Sequence, residues 1–210
     1  MSCHALAVDL SQSGSAETLI WLLRDKRISV DVLVNNAGYG VYGDFADAPL
    51  EPQLGMIQLH VTTPTHLTHA LLPDMRRRGS GGILNVASTG AFQPVPVESV
   101  YCATKAYLLH FTEALAEELR GTGVKVTCLC PGPTETPFFH TALMKSNTPP
   151  KLSRMDSKSV ARLGLEGFKA GKPLVITGLR NRLLILAARL GPRRLVARIA
   201  KRLVERKASR

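Results

Sequence analysis

Tyr101, Cys102, Ala103, Thr104 and Lys105 form a Tyr-x-x-x-Lys element, and Ser88 stands thirteen positions upstream of the tyrosine, just past the apolar run from Gly82 to Ala87. On a helix that begins near Ser99, Tyr101 and Lys105 are i and i+4 neighbours on one face, close enough for the ammonium to act on the phenol. A free phenol titrates near pH 10 and is a poor proton donor at neutrality. A neighbouring cation favours the phenolate and lowers that value toward the working range. Ser88, delivered from a strand end, can donate a hydrogen bond to a carbonyl oxygen as charge develops there. The set reads as a proton relay for carbonyl and alcohol chemistry.

Such a relay needs a rigid frame, and the hydropathy pattern supplies one. Short apolar runs at Ala5 to Val8, Val30 to Val34, Ile83 to Val86, Val124 to Cys130 and Leu174 to Thr177 read as strands. Helical patterns lie between them at Ala16 to Lys26, Pro49 to Arg78, Ser99 to Arg120 and Ser157 to Ala170, with Pro64 and Pro73 as boundaries or kinks. Near-continuous apolar strands alternating with helices predict an α/β fold with a doubly wound parallel sheet. The longest irregular stretch, from Thr134 to Arg154, reads as a lid or substrate loop.

The 210 residues, 45% hydrophobic and 20% charged, fit one globular domain. No run reaches the roughly 18 apolar residues of a membrane span, and the opening MSCHALAVDLS lacks the pattern of a signal peptide. The expectation is a soluble, cytoplasmic protein. Cys3, Cys102, Cys128 and Cys130 have no metal-ligand spacing and read as reduced thiols. His66 and His69 share a helix face with no carboxylate or third ligand evident, so no metal site is expected.

Eleven of the 27 Lys and Arg residues fall between Arg180 and Arg210 against one acid, Glu205, so this tail holds +10 of the +11 net charge. Leu195, Val196, Ile199, Leu203 and Val204 make one apolar stripe between Arg193, Arg194, Arg198, Lys201, Arg202 and Arg206. The tail therefore reads as an amphipathic basic helix, residues 181–210, appended to a catalytic unit of residues 1–180. Docking on the body or at a subunit interface and peripheral membrane association both fit. Nucleic acid is not expected, because the segment has no aromatic residue for stacking.

From residue 5 to 180 the chain resembles the short-chain dehydrogenase/reductase family. Five elements carry the likeness in order: Asp9-Leu10, Asn35-Asn36-Ala37-Gly38, Ser88, Tyr101-x-x-x-Lys105, and Pro131-Gly132 with Thr136. The resemblance implies a Rossmann-like sheet binding NADP or NAD across its strand ends, with a slight lean to NADP. It makes Tyr101 the acid/base, Lys105 its tuner and a ribose holder, and Ser88 the residue orienting the substrate oxygen. Asp9 would contact the adenine, Asn35, Ala37 and Gly38 would line the cofactor, and Pro131, Gly132 and Thr136 would receive the nicotinamide carboxamide. Homo-oligomerisation through the Tyr101 helix and its neighbour is implied as well. The substrate is an alcohol or carbonyl compound, and Phe138, Phe139, Leu143 and Met144 in the irregular stretch favour an apolar one.

Two departures stand out. The family opens on a glycine-rich strand-turn-helix that holds the cofactor pyrophosphate, whereas here the match begins at what would be the third strand. Two strands and two helices, about 50 residues, are expected to be missing, through a start codon placed too far downstream or a naturally shortened protein. Such a chain would bind dinucleotide poorly, and a remnant serving as a binding or scaffolding protein is the alternative. The second departure is His60, where the family usually has an asparagine that holds a water in the relay. An imidazole could serve there, adding a group titrating near neutrality, or could be an inert helix-packing side chain.

Overall fold

The structure, a computed structural model, describes residues 3–140 and 154–208, with the side chains of 139, 140 and 203–208 outside the description. Four strands, β1 (Val32–Asn35), β2 (Gly81–Val86), β3 (Val124–Cys130) and β6 (Leu174–Ile176), form one sheet in the order β1-β2-β3-β6. All three pairings are parallel. A second sheet pairs β4 (Thr134–Glu135), at the start of the stretch expected to be irregular, with β5 (Met155–Asp156), just past its end.

Helices α3 (Thr63–Arg78) and α4 (Ser99–Glu118) cover one face, and α5 (Ser157–Lys169) the other. The alternation along β3 explains both contacts. Val124 and Val126 meet Met75, Leu115 and Leu119 on the first face, while Leu129 meets Val160 and Val175 on the second. A parallel sheet covered on both faces is the fold that the apolar runs predict. Coverage is uneven, however: α5 reaches β3 and β6, and Val32 and Val34 of β1 stay 43% and 49% exposed.

One element departs from expectation. Ala5 to Val8 forms no strand. The β1 edge faces no further strand among the described residues, and an apolar run without a ladder partner has no hydrogen bonds to hold it as a strand. The chain turns at Leu10 into α1 (Ser15–Asp25), whose Ala16 and Ile20 pack on Leu67 of α3. Glu17 on α1 also brings a carboxylate to within 3.4 Å of His66, a contact between distant segments that the sequence did not reveal.

The helical stretch before β2 is continuous in sequence but changes in winding. It passes from α2 (Leu50–Ile57) through one π-helical turn, Gln58–Thr62, into α3. Pro64 sits immediately after the π-helical turn, at the second residue of α3. Pro73 lies inside α3, and Gly79 ends that helix in the left-handed conformation at φ 61°. The tail forms α6 (Leu179–Leu190) and α7 (Arg193–Ala208).

Candidate active site

Three local devices converge at the carboxyl ends of β2 and β3. The β2–β3 ladder continues through Ala87 N–H to Leu129 O at 2.8 Å and Thr89 N–H to Pro131 O at 2.9 Å, so the residues after Val86 stay extended. Ser88 then caps a 3-10 turn, Thr89–Phe92, its Oγ accepting from Gly90 N–H at 3.1 Å. The following loop holds Val97 at φ 65°, an unusual conformation for a β-branched residue, and the Gly43 N–H binds its carbonyl at 2.9 Å. That loop launches α4 with Tyr101 and Lys105 one turn apart on the face toward Ser88.

The resulting contacts are specific. Ser88 and Tyr101 line one cavity, with the serine near enough to favour the ionised form of the phenol. Lys105 is 5% exposed; its Nζ donates to the Val86 carbonyl at 2.9 Å and lies 5.8 Å from the Tyr101 ring centre. The Phe138 ring lies tilted against that of Tyr101, with centres 5.8 Å apart. Burial pushes the Tyr101 phenol above its ordinary value, with Ser88 acting in the opposite direction. Desolvation is the largest influence and raises the phenol in this structure, the opposite direction to the lowering expected from a neighbouring cation. Burial also lowers Lys105 to about 8.

These residues line a cavity of about 750 Å³. Among the residues expected to hold a cofactor, Gly38, Pro131, Gly132 and Thr136 reach it along with Tyr101 and Lys105. Gly38 is there because nothing larger fits: a Cβ would come within 2.8 Å of His60 Nε2 and 3.6 Å of Lys105 Nζ. The others fall elsewhere. Asn35 donates to Asn85 Oδ1 at 2.7 Å, and Asn85 donates to Thr112 at 2.9 Å, a buried clamp joining β1, β2 and α4. Its neighbour Asn36 lines the cavity in its stead, since successive strand residues point to opposite faces. Ala37 does not line it. Asp9 accepts from Ser11 N–H at 3.0 Å, Ser11 Oγ at 2.6 Å and Gln12 at 3.2 Å, which makes it a local turn residue. Thr89, Gln93, Glu98 and Thr134 line the cavity without having been singled out from sequence; no motif marks them, because they arrive on a 3-10 turn, a loop, a helix cap and a two-residue strand. Leu143 and Met144 lie outside the described residues, as does the Phe139 side chain.

His60, on the π-helical turn, is 1% exposed. Its Nδ1 lies 3.0 Å from Thr104 Oγ1, whose hydrogen is given to the Tyr101 carbonyl oxygen at 2.8 Å. Thr104 must therefore accept from Nδ1–H, leaving Nε2 as a bare acceptor. That atom is buried with no hydrogen-bond partner among the described residues. Burial first, then Lys105, lowers the imidazole to about 2. The expectation of a group titrating near neutrality is corrected: His60 stays neutral.

The cavity tests the implied dinucleotide in two parts. Its Ser88, Tyr101 and Lys105 end, with the Gly38 gap and the Pro131-Gly132 backbone, fits a nicotinamide and its ribose. For the pyrophosphate, no glycine-rich turn joins a strand to a helix N-terminus on the cavity among the described residues. No helix of the described residues is long and apolar enough to cross a membrane, and no group of three metal-ligating side chains gathers among them.

Known proteins give this geometry a context. The ketoacyl reductase HetN of Nostoc sp. is 38% identical over 128 residues, covering 61% of this chain and 45% of that protein. A short-chain dehydrogenase from Sphingobium yanoikuyae, solved with NADPH, is 29% identical with a TM-score of 0.76, covering 89% of this chain and 72% of that one. The structure of a 7β-hydroxysteroid dehydrogenase superposes with a TM-score of 0.80 at 27% identity, covering 93% and 75%. The chain spans about half the length of the curated relatives it matches. The model of the short chain dehydrogenases matches residues 1–146, and the chain belongs to that family.

Proposed function

We propose that residues 1–180 form the proton-transfer half of an NAD(P)-dependent oxidoreductase that interconverts an alcohol and a carbonyl, with residues 181–210 as an appended helical element. The observation that carries this is the convergence of Ser88, Tyr101 and the buried Lys105 on one cavity, with the Lys105 ammonium 5.8 Å from the Tyr101 ring centre. Bound NADPH, the form held by the Sphingobium relative, would supply the hydride. The remaining steps belong to this chain. Ser88 directs its hydroxyl to the substrate oxygen, and Tyr101, protonated at neutral pH as any phenol is, delivers the proton that completes the alcohol. The Lys105 ammonium, within reach of the ring, stabilises the phenolate left behind. Phe138 and the apolar cavity wall favour an apolar carbonyl compound as substrate.

His60 serves as a positioning residue in this reading. Its Nε2, the Gly38 gap and Lys105 Nζ face one another, so Nε2 can accept from a water that links the ammonium to solvent. Assembly through the α4 face and contact with a membrane through the tail follow from exposed side chains. Tyr107 on α4 is 39% exposed, and Leu179, Leu183, Leu186 and Leu190 form an exposed stripe on α6 among arginines. A cytoplasmic protein held peripherally at a membrane fits both features.

NADPH consumption with a bulky apolar ketone is the direct test. Tyr101→Phe should lower kcat by about 10²-fold or more, and an unchanged rate would remove Tyr101 from the mechanism. A second reading is a non-catalytic binding protein, because no glycine-rich turn leads into a helix at the cavity among the described residues. Calorimetry separates the two: low-micromolar NADPH binding by the 210-residue chain supports the enzyme, and its absence supports the binding protein.

A further inference from the structure

A second cavity, of about 510 Å³, lies on the far side of α4 from Lys105, between the 3-10 turn after Ser88 and the junction of α6 with α7. Its walls are mainly apolar, with Phe92, Val95, Ala106 and Leu109 among them, and Gln93, Ser99 and His110 are the polar side chains besides two arginines. Its floor includes the buried Cys102, whose thiol is pushed up to about 12 by burial and then by Glu98, so the floor is uncharged at neutral pH. The charge all sits on one side. Arg189 and Arg193 line the cavity where α6 gives way to α7, and no Asp or Glu lines it. Neither arginine forms an ion pair among the described residues. The Arg189 guanidinium lies 5.3 Å over the Phe92 ring, which holds it in place beside the apolar wall.

An apolar slot of ligand size with guanidinium groups at one end matches a molecule with the reverse polarity. We propose that this cavity binds a single acyl chain ending in an anionic group, carboxylate or phosphate, with the chain against Phe92, Ala106 and Leu109 and the anion on Arg189 and Arg193. A guanidinium pairs with either anion through two parallel hydrogen bonds. The two cavities share Gln93 and Val95 as a partition, so an occupant here touches the loop that presents α4. The proposal does not depend on the catalytic reading.

The test is calorimetric titration of the 210-residue chain with dodecanoate below its micellar range, with dodecyl phosphate, dodecanol and inorganic phosphate run alongside. Saturable one-to-one binding of both anionic amphiphiles is expected, with dodecanol and inorganic phosphate at least tenfold weaker. Arg189→Gln with Arg193→Gln should weaken dodecanoate at least tenfold. Ala106→Phe, which fills the slot and keeps both arginines, should do the same, and circular dichroism establishes that each variant is folded. Leu183→Ser with Leu186→Ser, on the exposed stripe of α6, should leave binding unchanged. Equal affinity for dodecanol, no saturation, or loss of binding only in the leucine variant would overturn the proposal.

Discussion

Lys105→Met should make this protein more stable while removing a group the proposed chemistry requires. The lysine is 5% exposed, and its burial lowers it from 10.5 to about 8. At about 1.4 kcal/mol per tenfold, keeping the ammonium in that site at pH 7 costs about 3 kcal/mol. Below pH 8 the folded and unfolded states are both protonated, and the cost is present in full. Between pH 8 and 10.5 the folded state releases its proton first, the unfolded state holds more, and wild-type stability rises with pH. Methionine fills similar volume without charge but forfeits the bond to the Val86 carbonyl, worth about 1 kcal/mol. The variant should therefore be about 2 kcal/mol more stable at pH 7, and the advantage should shrink and reverse by about pH 10.5. Urea denaturation followed by circular dichroism, run in parallel on both proteins across this range, measures the difference. A variant less stable at pH 7, or a difference that does not change with pH, would refute the account of Lys105 as a strained buried cation.

Other outcomes are equally direct. Because His60 is held to about 2, its ring should remain the neutral Nδ1–H tautomer from pH 5 to 8 by nitrogen NMR; a titration near 6.5 would contradict this. For the same reason His60→Asn should leave the shape of a pH–rate profile unaltered. The exposed leucines of α6 predict co-sedimentation with vesicles containing anionic lipid and much less with neutral vesicles, at about 1 kcal/mol per basic residue near the surface. Replacing Leu183, Leu186 and Leu190 with serine should abolish it, and persistence would point to charge alone.

The strands β2, β3 and β6 and the helices between them were legible because each is a continuous apolar run or a 3.6-residue pattern, and both survive packing without change. Ala5 to Val8 has the same local signature and forms no strand, since a strand requires a partner that composition cannot reveal. Tyr101 and Lys105 were legible as a pair because helical spacing alone makes them neighbours. Asn35 and Asn36 were not separable, since which of two adjacent residues faces the cavity depends on how β1 meets β2.

By itself the chain's sequence determined residue type, order and spacing: a phenol, an ammonium and a hydroxyl at the ends of particular strands and on a particular helix. Charge states were beyond it. Only the tertiary structure decided that burial raises Tyr101, lowers Lys105 and silences His60, because desolvation depends on every segment that closes over a group. It likewise decided that the α6–α7 junction meets the far side of α4 and encloses a second cavity with two arginines at one end.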